Sequence, residues 1–205
     1  MDIWDGIHTE RVALLEDLRS LSAEQWGHAS LCDRWTVQDV AAHLTSITDF
    51  KLGDALTGML RSGFNFNKMN ADDAHRRSAP GPEAIMAKHE EGLDNRTHPV
   101  AVTEKNVIVD TVVHGQDIRR PLGLTRDFPE ETLVTVANIL KGYGYPVNGK
   151  KRIRGLRLQA TDVDWSTGEG PLVEGPLEAL VMVIAGRKAA LADVSGEGKE
   201  ILSSR

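Results

Sequence analysis

The sequence predicts a mostly α-helical protein that ends in a small α+β module. Apolar residues recur at helical spacing through the first two-thirds of the chain, and the period changes after the turn-rich stretch Gly142 to Lys151. A further observation concerns what the helices carry. The stretch Lys105 to Arg120, KNVIVDTVVHGQDIRR, reads as a helix with acids and an imidazole among apolar flanks. A surface helix would set such groups opposite its apolar stripe.

Residues Ile3 to Leu21 predict the first amphipathic helix, with Ile3, Ile7, Leu14, Leu15, Leu18 and Leu21 at helical spacing. The short turn SAEQW and the loop HASLCDRW follow. Thr36 is then an N-cap, with Asp39 three residues on as an approximate capping box. The second helix runs from there to about Arg61, and Val40, His43, Ile47 and Phe50 share its inward face. Ser62 to Pro82 is polar and interrupted by Gly63, Pro80, Gly81 and Pro82, so it reads as a loop with at most a short helix near Ala71–Arg77. Loops of that length are often functional, and closure over a site is one use.

Pro82, near the first helical position, opens a third, highly charged helix reaching about Asn95. Lys105 to Arg120 is the fourth, stopped by Pro121-Leu122-Gly123. Pro129 to about Lys141 is the fifth. The break GYGYPVNGKK divides a helical domain over residues 1–145 from a small α+β domain over 150–205. In the second part Ile153, Leu156 and Leu158 indicate a strand, Gly168–Gly170 a hairpin-like turn, and Gly175 to Arg187 a buried helix.

Composition narrows the function classes. The chain of 205 residues accommodates one sizeable core or two small ones, and its 40% hydrophobic content is that of a globular protein. A formal net charge of −6 disfavours non-specific attraction to nucleic acid or to anionic membrane. The acidic start MDIWDG has no signal-peptide pattern, and the longest apolar run, Ala179 to Ala185, is too short for a bilayer. Cys32 is the sole cysteine, so no disulfide forms within the chain. The expected location is the cytoplasm. TVQDVAAHL resembles the first half of a helix-turn-helix, but no glycine follows at the turn and the next helix does not begin basic.

Asp110, His114 and Asp117 stand at i, i+4 and i+7 on one face of the fourth helix. Buried carboxylates and imidazoles need partners, and a metal ion satisfies several at once. The alternative is an Asp–His pair bonded to its own helix or to water. His43, on the inward stripe of a neighbouring helix, adds a second nitrogen, unless it is a satisfied core histidine. Two imidazoles and one carboxylate suit a divalent transition metal, zinc first, with positions left open for water or a thiolate. Asp117 reads as an alternative ligand, as an acceptor for an imidazole N–H, or as a helix-end charge. Cys32, just before a helix start, is a candidate nucleophile, against the commoner role of a buried thiol.

Three ordered blocks carry a resemblance: SLCDRWTVQDVAAHL (30–44), VDTVVHGQDIRRPLG (109–123) and ATDVDWSTGEGPLVEGPLEALVMVIAGR (160–187). In this order they resemble the mycothiol-dependent maleylpyruvate isomerase family. The resemblance implies a DinB-like four-helix bundle with a divalent metal, usually zinc, and a C-terminal domain resembling sterol-carrier modules. It implies His43, Asp110 and His114 as metal ligands and Arg187 as a residue that binds an anionic substrate or cofactor. The family carries Glu where this chain has Asp110, and the shorter side chain implies a shifted ion or changed coordination. The implied activity is that of an isomerase or thiol transferase using mycothiol on a small-molecule substrate. The alternative is a non-catalytic metal or small-ligand binding protein on the same fold.

Overall fold

The computed structural model describes residues 2–47, 57, 59–60, 62–63, 66–98 and 102–205. The chain is mostly α-helical with one small sheet, and it divides into two compact units, Asp2–Thr125 and Arg126–Arg205. The division falls before the Gly142–Lys151 break. The physical reason is that helix Glu130–Leu140 packs against helix Leu177–Ile184, so the fifth helix belongs to the second unit's core.

The first unit is built on helix Ile3–Ser20, capped by the Asp2 carboxylate, which accepts the Trp4 N–H at 2.9 Å. Its buried side carries Ile7, Leu14, Leu15 and Leu18. Helix Ala23–Trp26 closes a capping box on Ser22 and Gln25. Helix Val37–Leu44 starts at the predicted Thr36 cap and passes into a 3₁₀ turn, Thr45–Ile47. Phe50 and Arg61, placed by the sequence on the rest of this helix, lie outside the described residues. Helix Glu104–Arg119 packs on both Ile3–Ser20 and Val37–Leu44. Helix Pro82–Glu91, with Pro82 at its first turn, packs on the same two partners. Leu14, Leu18, Trp26, Val40, Ile85 and Ile118 form the shared core.

The stretch read as a loop contains a helix, Phe66–Ser78. The short helix expected near Ala71–Arg77 starts five residues earlier, at Phe66, because its sequence has almost no apolar period to mark its length. Lys68–Asp72 and Arg77–Asp73 ion pairs one turn apart support it, and it packs on helix Val37–Leu44 with Ala74 buried.

The second unit holds a three-stranded sheet: β1 (Arg157–Ala160), β2 (Ser166–Thr167) and β3 (Leu172–Gly175), in the order β2-β1-β3. β1 pairs antiparallel with β2 and parallel with β3, with Leu158 opposite both Thr167 and Val173. Gly168–Gly170 therefore does not close a hairpin, because β2 and β3 lie on opposite sides of β1. At Gly168, φ is 74° and a Cβ would meet the Leu156 carbonyl oxygen at 2.2 Å, so the chain turns against the backbone of the preceding segment. The strand expected to begin near Ile153 begins at Arg157, after the short helix Gly149–Arg152. Helix Leu177–Ile184 covers β1 and β3 with a nearly all-buried surface. No helix among the described residues is long and apolar enough to cross a membrane.

Candidate metal centre

Helix Glu104–Arg119 starts at Thr103, whose N–H donates to the Asn106 side-chain oxygen at 2.9 Å. Val107, Ile108, Val112 and Ile118 are wholly buried, and so is Asp117, at 0% exposure. A carboxylate at that depth needs donors. The His114 ring provides one, its Nδ1 standing 2.9 Å from Asp117 Oδ2. The Cys32 thiol provides another, donating to the same oxygen at 3.1 Å, and its Sγ is 3.5 Å from His114 Nδ1.

Cys32 reaches this helix because its loop is tied down. The Leu31 N–H donates to the Asp117 backbone carbonyl at 3.1 Å. The Ser30 hydroxyl donates to the Trp35 carbonyl at 2.8 Å and accepts the Cys32 N–H at 3.1 Å. Arg34 turns the chain with φ of 68°, a left-handed conformation unusual for a side chain of this size. The turn brings Trp35 over the site, with its ring centroid 5.0 Å from that of His43 and 6.3 Å from that of His114.

His43 and His114 face each other across two helices. Their centroids are 5.1 Å apart and the planes are inclined at 79°. The two rings hold protons very differently. Burial pushes His114 down, but its bond to Asp117 and the neighbouring Cys32 outweigh this and raise its pKa to about 10. Burial, then repulsion from His114, lowers His43 to about 3. Asp73 and Arg77 on helix Phe66–Ser78 act on His43 in opposite senses. Asp117 thus keeps a proton on His114, and His43 is neutral with a free ring lone pair.

These features fit a divalent ion. Two imidazoles sharing one tetrahedral ion, each nitrogen about 2.1 Å from it, have centroids about 5 Å apart. A ligating histidine commonly donates its other N–H to a carboxylate, as His114 Nδ1 can to Asp117. Asp110 is half-buried, one turn before His114. Among the described residues, the group of three whose donor atoms all lie within 4.8 Å of one another is Cys32, His114 and Asp117. His43 and Asp110 stand outside that tight group. Arg187 belongs to the second unit, where its guanidinium donates to the Ala185 carbonyl at 2.9 Å beside Arg152, Lys188 and Arg205.

Cys32 and Trp35 both line the centre, although no sequence period places them there. Loops carry no period that reveals a facing side chain. The signal available was the shortness of the link between Cys32, Trp35 and the Thr36 cap.

Residues 7–106 match the family model of the mycothiol maleylpyruvate isomerase N-terminal domain. No curated protein matches the chain. Among solved structures, the crystal structure of the mycothiol-dependent maleylpyruvate isomerase is similar, with a TM-score of 0.64 and 18% identity over 97% of this chain and 92% of that one. A histidine-to-alanine mutant of that enzyme aligns over the same shares with a TM-score of 0.63. The N-terminal part of the chain is thus similar to the mycothiol maleylpyruvate isomerase N-terminal domain, and the chain shares the fold of the mycothiol-dependent maleylpyruvate isomerase.

Proposed function

We propose that this chain is a member of the mycothiol-dependent maleylpyruvate isomerase family, a metal-dependent enzyme that uses a low-molecular-weight thiol, mycothiol, to isomerise or modify a small unsaturated acid. The observation that carries the reading is the perpendicular His43–His114 pair, 5.1 Å apart, with Asp117 bonded behind His114. His43 and His114 would hold the ion through ring nitrogens, and Asp110 would supply an oxygen. When bound, the ion, zinc by donor type, provides a Lewis-acid position at which a thiol loses its proton near neutral pH.

The chain's own groups do the rest. Asp117 accepts the Nδ1–H of His114 and so presents Nε2 as the ligand atom. Trp35 shields the two rings from water and keeps their interactions strong. Arg187, in the second unit, is the residue proposed to bind an anionic substrate or cofactor, for which its planar fork is suited. The reaction class is reversible addition of the thiol sulfur to an activated cis double bond, rotation about the resulting single bond, and expulsion of the thiol. The C–S bond that forms also breaks, so no net oxidation occurs. Cytoplasmic location, where such thiols are kept reduced, belongs to the same reading.

The test begins with metal content of untagged protein prepared without chelator. The wild type should carry stoichiometric metal, His43→Ala should carry less and His114→Ala none, while far-UV circular dichroism stays unchanged. Maleylpyruvate turnover followed by NMR should then require both metal and mycothiol. Retention of metal by both variants overturns the assigned ligands. A metal-loaded protein that binds neither mycothiol nor an unsaturated diacid favours the second reading, a non-catalytic metal-binding protein. One observation favours that second reading, an internal sulfur donor beside the histidines.

A further inference from the structure

We propose that Cys32 Sγ, His114 Nδ1 and an Asp117 carboxylate oxygen form a second cation site, specific for a thiophilic divalent ion of the zinc class. It goes beyond the reading above and needs neither His43 nor Asp110, although it draws on the same histidine.

The three donor atoms are separated by 3.5 Å (Sγ to Nδ1), 3.1 Å (Sγ to Oδ2) and 2.9 Å (Nδ1 to Oδ2). An ion bound tetrahedrally with a sulfur about 2.3 Å away, and a nitrogen and an oxygen each about 2.1 Å away, needs separations of about 3.6, 3.6 and 3.4 Å. The triangle present is one face of that tetrahedron, contracted by no more than about half an ångström, as expected where two protons now bridge the donors. Small rotations of the Cys32 and Asp117 side chains open it.

The donors are also held from outside. Leu31 N–H to the Asp117 carbonyl and Cys32 N–H to Ser30 Oγ fix the backbone on the sulfur side. Asp117 and His114 lie one turn apart on a single helix. Cys32 packs against the apolar core that includes Val40 and Ile118. A thiolate, an imidazole and a carboxylate in such surroundings select zinc or cadmium over magnesium or calcium.

Uptake is balanced by protons. The Cys32 thiol loses its hydrogen, the ring proton on His114 Nδ1 leaves, and both pass to solvent as the ion enters. The Asp117 oxygen, now an acceptor of two hydrogen bonds, becomes a donor to the metal. His114 then binds through Nδ1, whereas the His43–Asp110 position takes it through Nε2. The two nitrogens of one ring thus serve two ion positions, and the internal sulfur occupies the first without any external thiol.

The test uses the full chain, stripped of metal and titrated with cobalt(II) in the absence of any added thiol. Wild type should develop a near-ultraviolet sulfur-to-cobalt charge-transfer band. The band should vanish in Cys32→Ser, persist in His43→Ala, and be displaced by zinc. Absence of the band in wild type overturns the proposal, as does its survival in Cys32→Ser. Loss of the band in His43→Ala overturns the separateness of the two positions, leaving one joint centre. If Cys32→Ser fails to fold by circular dichroism, alkylation of Cys32 in the wild type decides. Zinc should slow it in His43→Ala as in wild type, and an unchanged rate counts against a sulfur ligand. The proposed enzyme activity fails by a separate route, through lack of turnover or mycothiol binding in metal-loaded protein.

Discussion

At the scale of single residues, Asp117 decides what His114 can do. It is fully buried, and His114 and Cys32 both point donors at one of its oxygens. Asp117→Asn keeps the size but removes the charge that holds the His114 proton. We expect metal affinity to fall by about 10–100-fold, measured by competition with a chromophoric chelator. The proton itself sets a pH dependence. His114 is raised to about 10 in the metal-free fold, so below that pH an entering ion must displace a proton. Affinity should therefore rise with pH across the neutral range, and calorimetry in buffers of different ionisation enthalpy should report proton release. Stability of the metal-free protein follows the same groups. The His114 contribution is present below its unfolded value of 6.5 and is lost as pH rises towards about 10. His43 is lowered to about 3, so its contribution is present above 6.5 and is lost as pH falls towards that value. Denaturant midpoints should peak between the two arms, and Asp117→Asn should weaken the alkaline arm. A midpoint that is flat on the alkaline side in wild type would remove His114 as the proton carrier.

At the scale of elements, the helix bearing His43 depends on how it starts. Asp39 accepts the Thr36 N–H at 3.0 Å, the Ser78 hydroxyl at 2.7 Å and the His75 ring at 3.0 Å. Burial raises the Asp39 pKa, but these hydrogen bonds outweigh it and leave the group below the usual carboxylate range. One side chain thus caps helix Val37–Leu44 and binds the end of helix Phe66–Ser78. The Thr36 hydroxyl accepts the Asp39 N–H at 3.2 Å, and Thr36→Ala should destabilise the fold by about 1 kcal/mol in urea denaturation. Much of this element was legible in the sequence, because Thr36, Asp39 and the stripe through Val40 and His43 follow local rules. The stripe Asp110, His114 and Asp117 was legible for the same reason, since helical spacing fixes the face. Helix Phe66–Ser78 was not, because its support comes from ion pairs and from packing on another helix. Cys32 and Trp35 were not, because their approach to His114 is set by one left-handed residue, Arg34, and by a backbone bond to Asp117 more than eighty residues on. The boundary at Thr125 was hidden too, because helix Glu130–Leu140 looks like its predecessors until its partner, Leu177–Ile184, is known.

At the scale of the whole molecule, each unit has its own core, the first around Leu14, Leu18, Val40 and Ile118 and the second around Leu158, Val173, Leu180 and Val136. Every candidate metal ligand, His43, Asp110, His114, Asp117 and Cys32, lies in the first. An ion that binds the folded first unit and not its unfolded chain stabilises that unit by mass action, about 2.7 kcal/mol at a hundredfold excess over the dissociation constant. Units with separate cores exchange their amides through separate openings. Zinc should therefore slow hydrogen exchange in helices Val37–Leu44 and Glu104–Arg119 by about a hundredfold at that excess. Exchange in β1, β3 and helix Leu177–Ile184 should stay as it was. Equal slowing in both units would mean that they open together. Protection confined to the first unit would identify the C-terminal module as an independent support for Arg187. The metal centre could then be altered by mutation without disturbing the arginine assigned to the substrate.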